Sequence, residues 1–319
     1  MPAEARAERS VETAWAQIRP YVAERLAVAL DRLDPSAWLD ARELRLRAGR
    51  EVRLVGAGGR DRVLGPLVGA QDLEHCLEHL TGHSRYAWEE ELAQGFLTIP
   101  GGHRVGIAGS WSAPGAGSRA VRHVAGLNYR IARAVAGPAA ALVGRISAGD
   151  RPIATILVGA PGCGKTTLLR DLVRAASDGL YGWRGQQVSL VDERSEIAAC
   201  HLGLPGHDVG ARTDVLDGMP KTIGMRMALR ALGPEVLATD EIGGEDDARA
   251  VLDCAYAGVT VLATAHAASL EELRHRPSIA LLMREGVFQR QVLLGSQPRP
   301  GTLLRVEDES GRVLQGFTR

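Results

Sequence analysis

Apolar positions along this chain recur with two periods, and the arrangement changes near the middle. Over residues 11–33, Val11, Trp15, Ile18, Val22, Leu26 and Leu30 follow helical spacing and predict one amphipathic helix, ended by Asp34, Pro35 and Ser36. Residues 43–47 and 51–55 instead alternate apolar with charged side chains around Ala48, Gly49 and Arg50, the pattern of a β-hairpin. Gly56 to Gly59 predict a turn, and residues 71–81 and 86–94 predict helices. Residues 96–100, 101–108 and 127–132 read as strands around a loop at 112–118. Gly137 and Pro138 end this α+β region, and residues 139–146 predict a helix leading out of it.

From about residue 150 strands and helices alternate, which argues a parallel sheet with helices on both faces. Residues 156–158, 188–192, 235–241 and 258–266 read as strands, and 225–232 and 246–257 as intervening helices. After Met283, residues 288–294 and 302–306 alternate with period two and predict an antiparallel extension at the sheet edge. The expected fold is α/β: a smaller α+β domain over 1–137, then a parallel-sheet P-loop domain over 138–319.

The first candidate chemistry sits where the second pattern begins. Gly159, Ala160, Pro161, Gly162, Cys163 and Gly164 separate an apolar strand from a helix that starts with Lys165, Thr166 and Thr167. Strand, glycine-rich loop and helix, with the spacing G-x-x-x-x-G-K-[ST], form a phosphate-binding loop for ATP. Glycines let backbone N–H groups turn onto phosphate oxygens, and the helix N-terminus adds its dipole. Lys165 would reach the β- and γ-phosphates, and the Thr166 hydroxyl would ligate Mg²⁺. Only Lys165 and Lys221 are lysines, so the other 36 of the 38 basic positions are arginine. A composition that uses arginine almost everywhere has kept a slim point charge in the slot that needs one.

About 75 residues further on, an apolar strand ends in Asp240 and Glu241. Behind a phosphate loop, the aspartate would hold Mg²⁺ and the glutamate would polarise the attacking water. Gly243 and Gly244 would let this loop come close to the nucleotide. His266 ends the next strand, so it, Thr264, Asp240 and Glu241 would point to the carboxyl edge of the sheet, where ligands bind in open parallel sheets. His266 could sense the γ-phosphate or simply cap the following helix. Asp192, Glu193 and Arg194 end another strand, and Glu193 could add a catalytic carboxylate. Arg226 and Arg230 on one helix face, and Arg104, Arg130 and Arg133 in the first domain, could each reach a phosphate.

Composition narrows the class. Formal net charge is zero, which removes bulk attraction to nucleic acid or anionic lipid. Cys76, Cys163, Cys200 and Cys254 lack metal-type spacing and read as reduced thiols of a cytoplasmic protein. No segment approaches the ~20 apolar residues of a membrane span. Asn128 is the sole asparagine, so no N-K-x-D stretch selects guanine, and no L-S-G-G-Q-like stretch marks a transporter ATPase. A RecA-like ATPase core remains. A nucleic-acid-dependent ATPase and a nucleotide-switched scaffold are the alternatives.

Several segments in order carry a family resemblance: Gly101 to Gly106, Gly159 to Thr167, Val191 to Ala198, Asp217 to Lys221, Ala238 to Gly243, and Thr264 to Ala267. Together they resemble the stage III sporulation protein AA family, which is similar to the secretion ATPases of type II, type IV pilus and type IV systems. The resemblance spans roughly residues 40–310 and implies a cytoplasmic ATPase of the mother cell in an endospore-forming bacterium. It would power or regulate assembly of a membrane channel complex between mother cell and forespore. Membrane proteins of that complex would be its partners, and a homo-hexamer its assembly. By position, His266 matches the family's histidine motif, and Asp192 and Glu193 its acidic box. Lys221 falls in a Pro-Lys segment of interfacial or nucleotide-linked role. Arg230 to Pro234 departs from the family's Arg-Ser-x-Ser/Ala-Pro stretch, outside the phosphate contacts.

Overall fold

A computed structural model of the protein describes residues 14–38, 40–56, 59–112, 121–132 and 137–316. The chain divides into two compact units, Met1–Arg133 with Ala199–Gly206, and Ala134–Ala198 with His207–Arg319. A short piece of the later sequence thus clusters with the first unit.

The first unit is built on a six-stranded sheet of β1 (Ala41–Arg47), β2 (Glu51–Gly56), β3 (Asp61–Leu67), β4 (Phe96–Ile99), β5 (His103–Trp111) and β6 (Val121–Arg130). The order is β3-β2-β1-β6-β5-β4, and every pair is antiparallel. Alternation puts Leu44, Leu46, Val52, Leu54, Val105 and Tyr129 in one core with helices α1 (Glu24–Leu30) and α2 (Ala70–Leu80). Each fully buried leucine or valine in it contributes about 1.5–3 kcal/mol.

The single helix expected over residues 11–33 is interrupted. Helix runs to Ile18, a 3-10 turn occupies Arg19–Tyr21, and α1 starts only at Glu24. Pro20 is the cause: it has no N–H to donate, and its ring clashes with the carbonyl one turn back. Apolar spacing continued across the break because both pieces face the same core. Residues 11–13 lie outside the described residues, as do 57 and 58 of the turn and 113–118 of the loop. The helix expected over 86–94 is a 3-10 turn, Arg85–Trp88, followed by the short α3 (Glu89–Ala93). Strand β3 has no counterpart in the sequence reading; Gly65 and Pro66 weaken its strand pattern, and as an edge strand it tolerates both.

The second unit opens with α4 (Ala140–Val143) and a small hairpin of β7 (Ser147–Ala148) and β8 (Arg151–Pro152). Its main sheet has eight strands: β9 (Thr155–Val158), β10 (Val188–Asp192), β11 (Thr213–Asp217), β12 (Val236–Thr239), β13 (Thr260–Ala265), β14 (Arg290–Gly295), β15 (Thr302–Asp308) and β16 (Val313–Gly316). Their order is β11-β10-β12-β13-β9-β14-β15-β16. Pairs from β11 to β14 are parallel; β15 and β16 join antiparallel. The central strands β9, β10 and β12 are buried at every position, as expected for a sheet covered on both faces. Helices α5 (Lys165–Asp178), α6 (Lys221–Ala231), α7 (Glu245–Tyr256), α8 (Leu270–Arg274) and α9 (Pro277–Arg284) connect them.

One strand reading is corrected. Both late strands were expected as an antiparallel extension, but β14 pairs parallel with β9, inside the sheet. Helices α8 and α9 form the crossover that returns the chain in the same direction, and their short apolar stretches gave no helical signal of their own. The α/β class and the parallel sheet of the second half are as the sequence indicated.

Candidate nucleotide site at the carboxyl ends of the parallel strands

The apolar β9 ends at Val158, and the next six residues form the loop. A Cβ on Gly159 would stand 2.5 Å from Cys163 Sγ and 2.7 Å from the Leu294 carbonyl oxygen. Gly164 has φ +93°, the left-handed region, and a Cβ there would meet Gly301 N at 2.8 Å. Side chains are thereby excluded at these two ends of the loop, where its backbone packs closely against β14 and the turn after it. Helix α5 then starts at Lys165 with no side-chain cap on its first turn. Leu168, Leu169, Leu172 and Val173 bury one face and fix that helix end against the sheet.

The predicted side chains converge on this loop. Lys165 is buried, and its Nζ donates to the carbonyls of Gly159 at 2.8 Å and Ala160 at 3.0 Å. It also lies 3.0 Å from His266 Nδ1. Burial pushes the Lys165 ammonium below its ordinary pKa, opposed by Cys163, Asp240 and Glu241. A polyphosphate beside it would reverse that shift. Thr166 Oγ1 donates to Asp240 Oδ2 at 2.9 Å, while the buried Thr264 hydroxyl donates to Asp240 Oδ1. The aspartate oxygens are thus oriented by two hydroxyls, one from the first turn of α5 and one from strand β13. The Thr166–Asp240 oxygen pair suits Mg²⁺, a hard cation that takes few protein ligands and completes its shell with phosphate and water.

Glu241 is held in strain. Its φ of +44° lies in the left-handed region, which a non-glycine side chain rarely adopts. Its N–H donates to Thr264 Oγ1 at 2.9 Å and to Asp240 Oδ1 at 3.0 Å, and these bonds stabilise the conformation. The carboxylate pairs with Arg194 Nη1 at 2.7 Å and lies 3.8 Å from His266 Nε2. Sequence reasoning named Arg194 only as part of an acidic cluster; the structure makes it the partner of Glu241.

Other candidates sit apart from this cluster. Asp192 is buried and accepts the N–H groups of Glu196, Ile197 and Ala198 at 2.8–2.9 Å. Burial still raises its pKa above the ordinary carboxylate value. It organises its own loop. Glu193 accepts from Lys221 Nζ at 2.6 Å, so Arg194 and not Glu193 meets Glu241. Gly243 and Gly244 donate to Asp247 Oδ2 and cap α7; a Cβ on either would meet nothing closer than 4.0 Å. Both glycines thus serve the start of α7. Arg226 pairs with Asp253 at 3.6 Å. In the first unit Arg104 lies over the Phe96 ring and faces Arg130 across strands β5 and β6. Arg133 lies outside the described residues.

One contact had no sequence signal beyond a run of Pro and Gly. The turn between β14 and β15 reaches the phosphate loop, where Gly301 N donates to the Cys163 carbonyl at 2.7 Å. All four cysteines are buried. Among the described residues no helix is long and apolar enough to cross a membrane.

A family described as "Sporulation stage III, protein AA" matches residues 16–314. The chain is 39% identical over 302 residues to stage III sporulation protein AA of Bacillus subtilis (strain 168), covering 95% of this chain and 98% of that protein. Among solved structures it is similar to the ATPase DotB of Legionella pneumophila, at 15% identity and TM-score 0.57, over 88% of this chain and 80% of that one. It is also similar to the pilus retraction motor PilT with bound ADP, at 15% identity and TM-score 0.53, over 85% and 76%. At such identities these two structures establish the shared fold.

Proposed function

As the chain belongs to the sporulation stage III, protein AA family, we propose that it is a Mg²⁺-dependent ATPase that powers or regulates assembly of a channel complex during endospore formation. It would act in the mother-cell cytoplasm, as a homo-hexamer against membrane proteins of that complex. The observation that carries the reading is the meeting of Lys165, Thr166, Asp240, Glu241 and His266 around one loop. ATP would supply the phosphoanhydride bond. Lys165 would leave its carbonyl partners for the β- and γ-phosphates. Thr166 and Asp240 would hold Mg²⁺, and Glu241 would orient a water and take its proton. His266, within reach of both Lys165 and Glu241, would couple phosphate occupancy to the glutamate.

ATP turnover measured against protein concentration with Mg²⁺, in wild type and Lys165→Ala, tests this. Turnover per subunit should rise with concentration and fall at least ~100-fold in the variant. Equal turnover in the two proteins would remove the catalytic assignment. A slow, switch-like scaffold is the second reading, favoured by one contact: Glu241 is held by Arg194 and must be released before it can serve as a base. Tight ATP binding without turnover at any concentration would select it.

A further inference from the structure

The phosphate loop has two flanks, and only one carries the candidate catalytic groups. On that flank β13 and β12 bring His266, Asp240 and Glu241 to Lys165 and Thr166. On the other, β9 pairs with β14, which runs into the exposed segment Ser296 to Pro300. This segment is fastened to the loop itself. Gly301 N donates to the Cys163 carbonyl at 2.7 Å. A Cβ on Gly164 would stand 2.8 Å from Gly301 N and 3.2 Å from the Pro300 carbonyl carbon. Arg299 is anchored through its carbonyl, which accepts from Thr302 N at 3.2 Å and Thr302 Oγ1 at 2.7 Å. Its side chain is exposed between two prolines, whose rings restrict the backbone on either side.

We infer that the turn Ser296–Gly301 is the wall of a nucleoside subsite and that the Arg299 guanidinium stacks on the base. The inference rests on the ATPase reading above. A nucleoside triphosphate is linear: with its terminal phosphate at the acidic strand ends and its middle on the α5 N-terminus, its base leaves on the opposite flank. That flank is the β14–β15 turn, outside the carboxyl ends of the strands as open parallel sheets require. A planar guanidinium on a rigid turn suits the π-face of any purine. The subsite should therefore hold the base by stacking, with adenine and guanine nucleotides bound within a few-fold of each other.

The experiment compares dissociation constants of ATP, GTP and inorganic tripolyphosphate for the full chain, in wild type, Arg299→Ala, Arg299→Lys and Lys165→Ala. Arg299→Ala should weaken ATP and GTP by ~5–30-fold and leave tripolyphosphate unchanged. Arg299→Lys, which keeps the charge and loses the plane, should fall with Arg299→Ala. Equal weakening of ATP and tripolyphosphate would overturn the inference, since Arg299 would then read phosphate. So would unchanged affinity for all three, or full rescue by lysine. Lys165→Ala should lose all three ligands. A wild type that binds none of them would overturn the ATPase reading itself, and the subsite with it.

Discussion

One buried polar group in each unit, His103 and Lys165, is held in the opposite way to the other. In the first, His103 is 1% exposed and closed on both sides: its Nδ1 accepts the Ala132 N–H at 3.0 Å, and its Nε2 lies 3.0 Å from Gln17 Oε1. Those partners fix a neutral tautomer, and burial lowers its pKa to about 4. In the second, Lys165 is buried against two carbonyls and a histidine, all of which a phosphate could replace. A closed polar pair holds the fold in one arrangement. A buried charge with exchangeable partners, beside a strained glutamate, marks a candidate site. The difference also explains why Gly101 accompanies His103: a Cβ there would fall 2.1 Å from Gln17 Oε1. The Gly-Gly-His-Arg segment therefore packs the first unit.

Glu241→Gln tests the open side of this contrast and should have the largest effect. It keeps the shape, removes the base and breaks the charge in the Arg194 pair. Turnover should fall ~10²–10³-fold with ATP affinity held within a few-fold, as expected for a group that acts on the attacking water. Single-turnover hydrolysis beside equilibrium ATP binding measures both. Loss of binding in step with turnover would place Glu241 in ligand contact instead.

The closed side is tested by pH. Between pH 6.5 and about 4 the unfolded chain binds a proton at His103 that the folded unit refuses. Stability therefore falls as pH falls through this window, and the full loss, about 3 kcal/mol, is reached below the folded pKa. Denaturant unfolding of the first unit, followed by hydrogen exchange at β5 and β6 from pH 7.5 to 4, measures it. His103→Gln, which titrates nowhere in that range, should flatten this part of the profile. An unchanged slope would mean that other groups set the acid sensitivity.

How far each unit could be read from sequence follows from the same contrast. The phosphate loop, Asp240, Glu241 and His266 were legible because each follows an apolar strand, and a parallel sheet brings all strand ends to one edge. The pairing partners were not, since Arg194 and Glu193 are adjacent in sequence and only the loop geometry built on Asp192 decides which meets Glu241. Edge strands β3, β11 and β16 were missed because half-exposed strands need no apolar run. The break at Pro20 was missed because helical spacing persisted on both sides of it. The turn at Ser296–Gly301 carries no such signal, since nothing in a Pro-Gly sequence says what it touches.

The smallest expected effect separates the two lysines, which composition made equally conspicuous. Both are buried, yet Lys221 has a carboxylate partner of its own, Glu193 at 2.6 Å, and no contact with the phosphate loop is formed among its described bonds. Glu193 is 37% exposed and can rehydrate when its partner is lost. Lys221→Met, which preserves the aliphatic stem, should therefore cost only about 1 kcal/mol of stability. It should leave nucleotide affinity of the isolated chain unchanged, where Lys165→Met abolishes it. A thermal melt and an ATP titration on both variants decide the matter. If Lys221→Met also removes the rise of turnover with protein concentration, the pair with Glu193 is broken on assembly, and Lys221 belongs to a surface between copies. If concentration dependence is retained, the second lysine joins His103 among the groups that hold the fold.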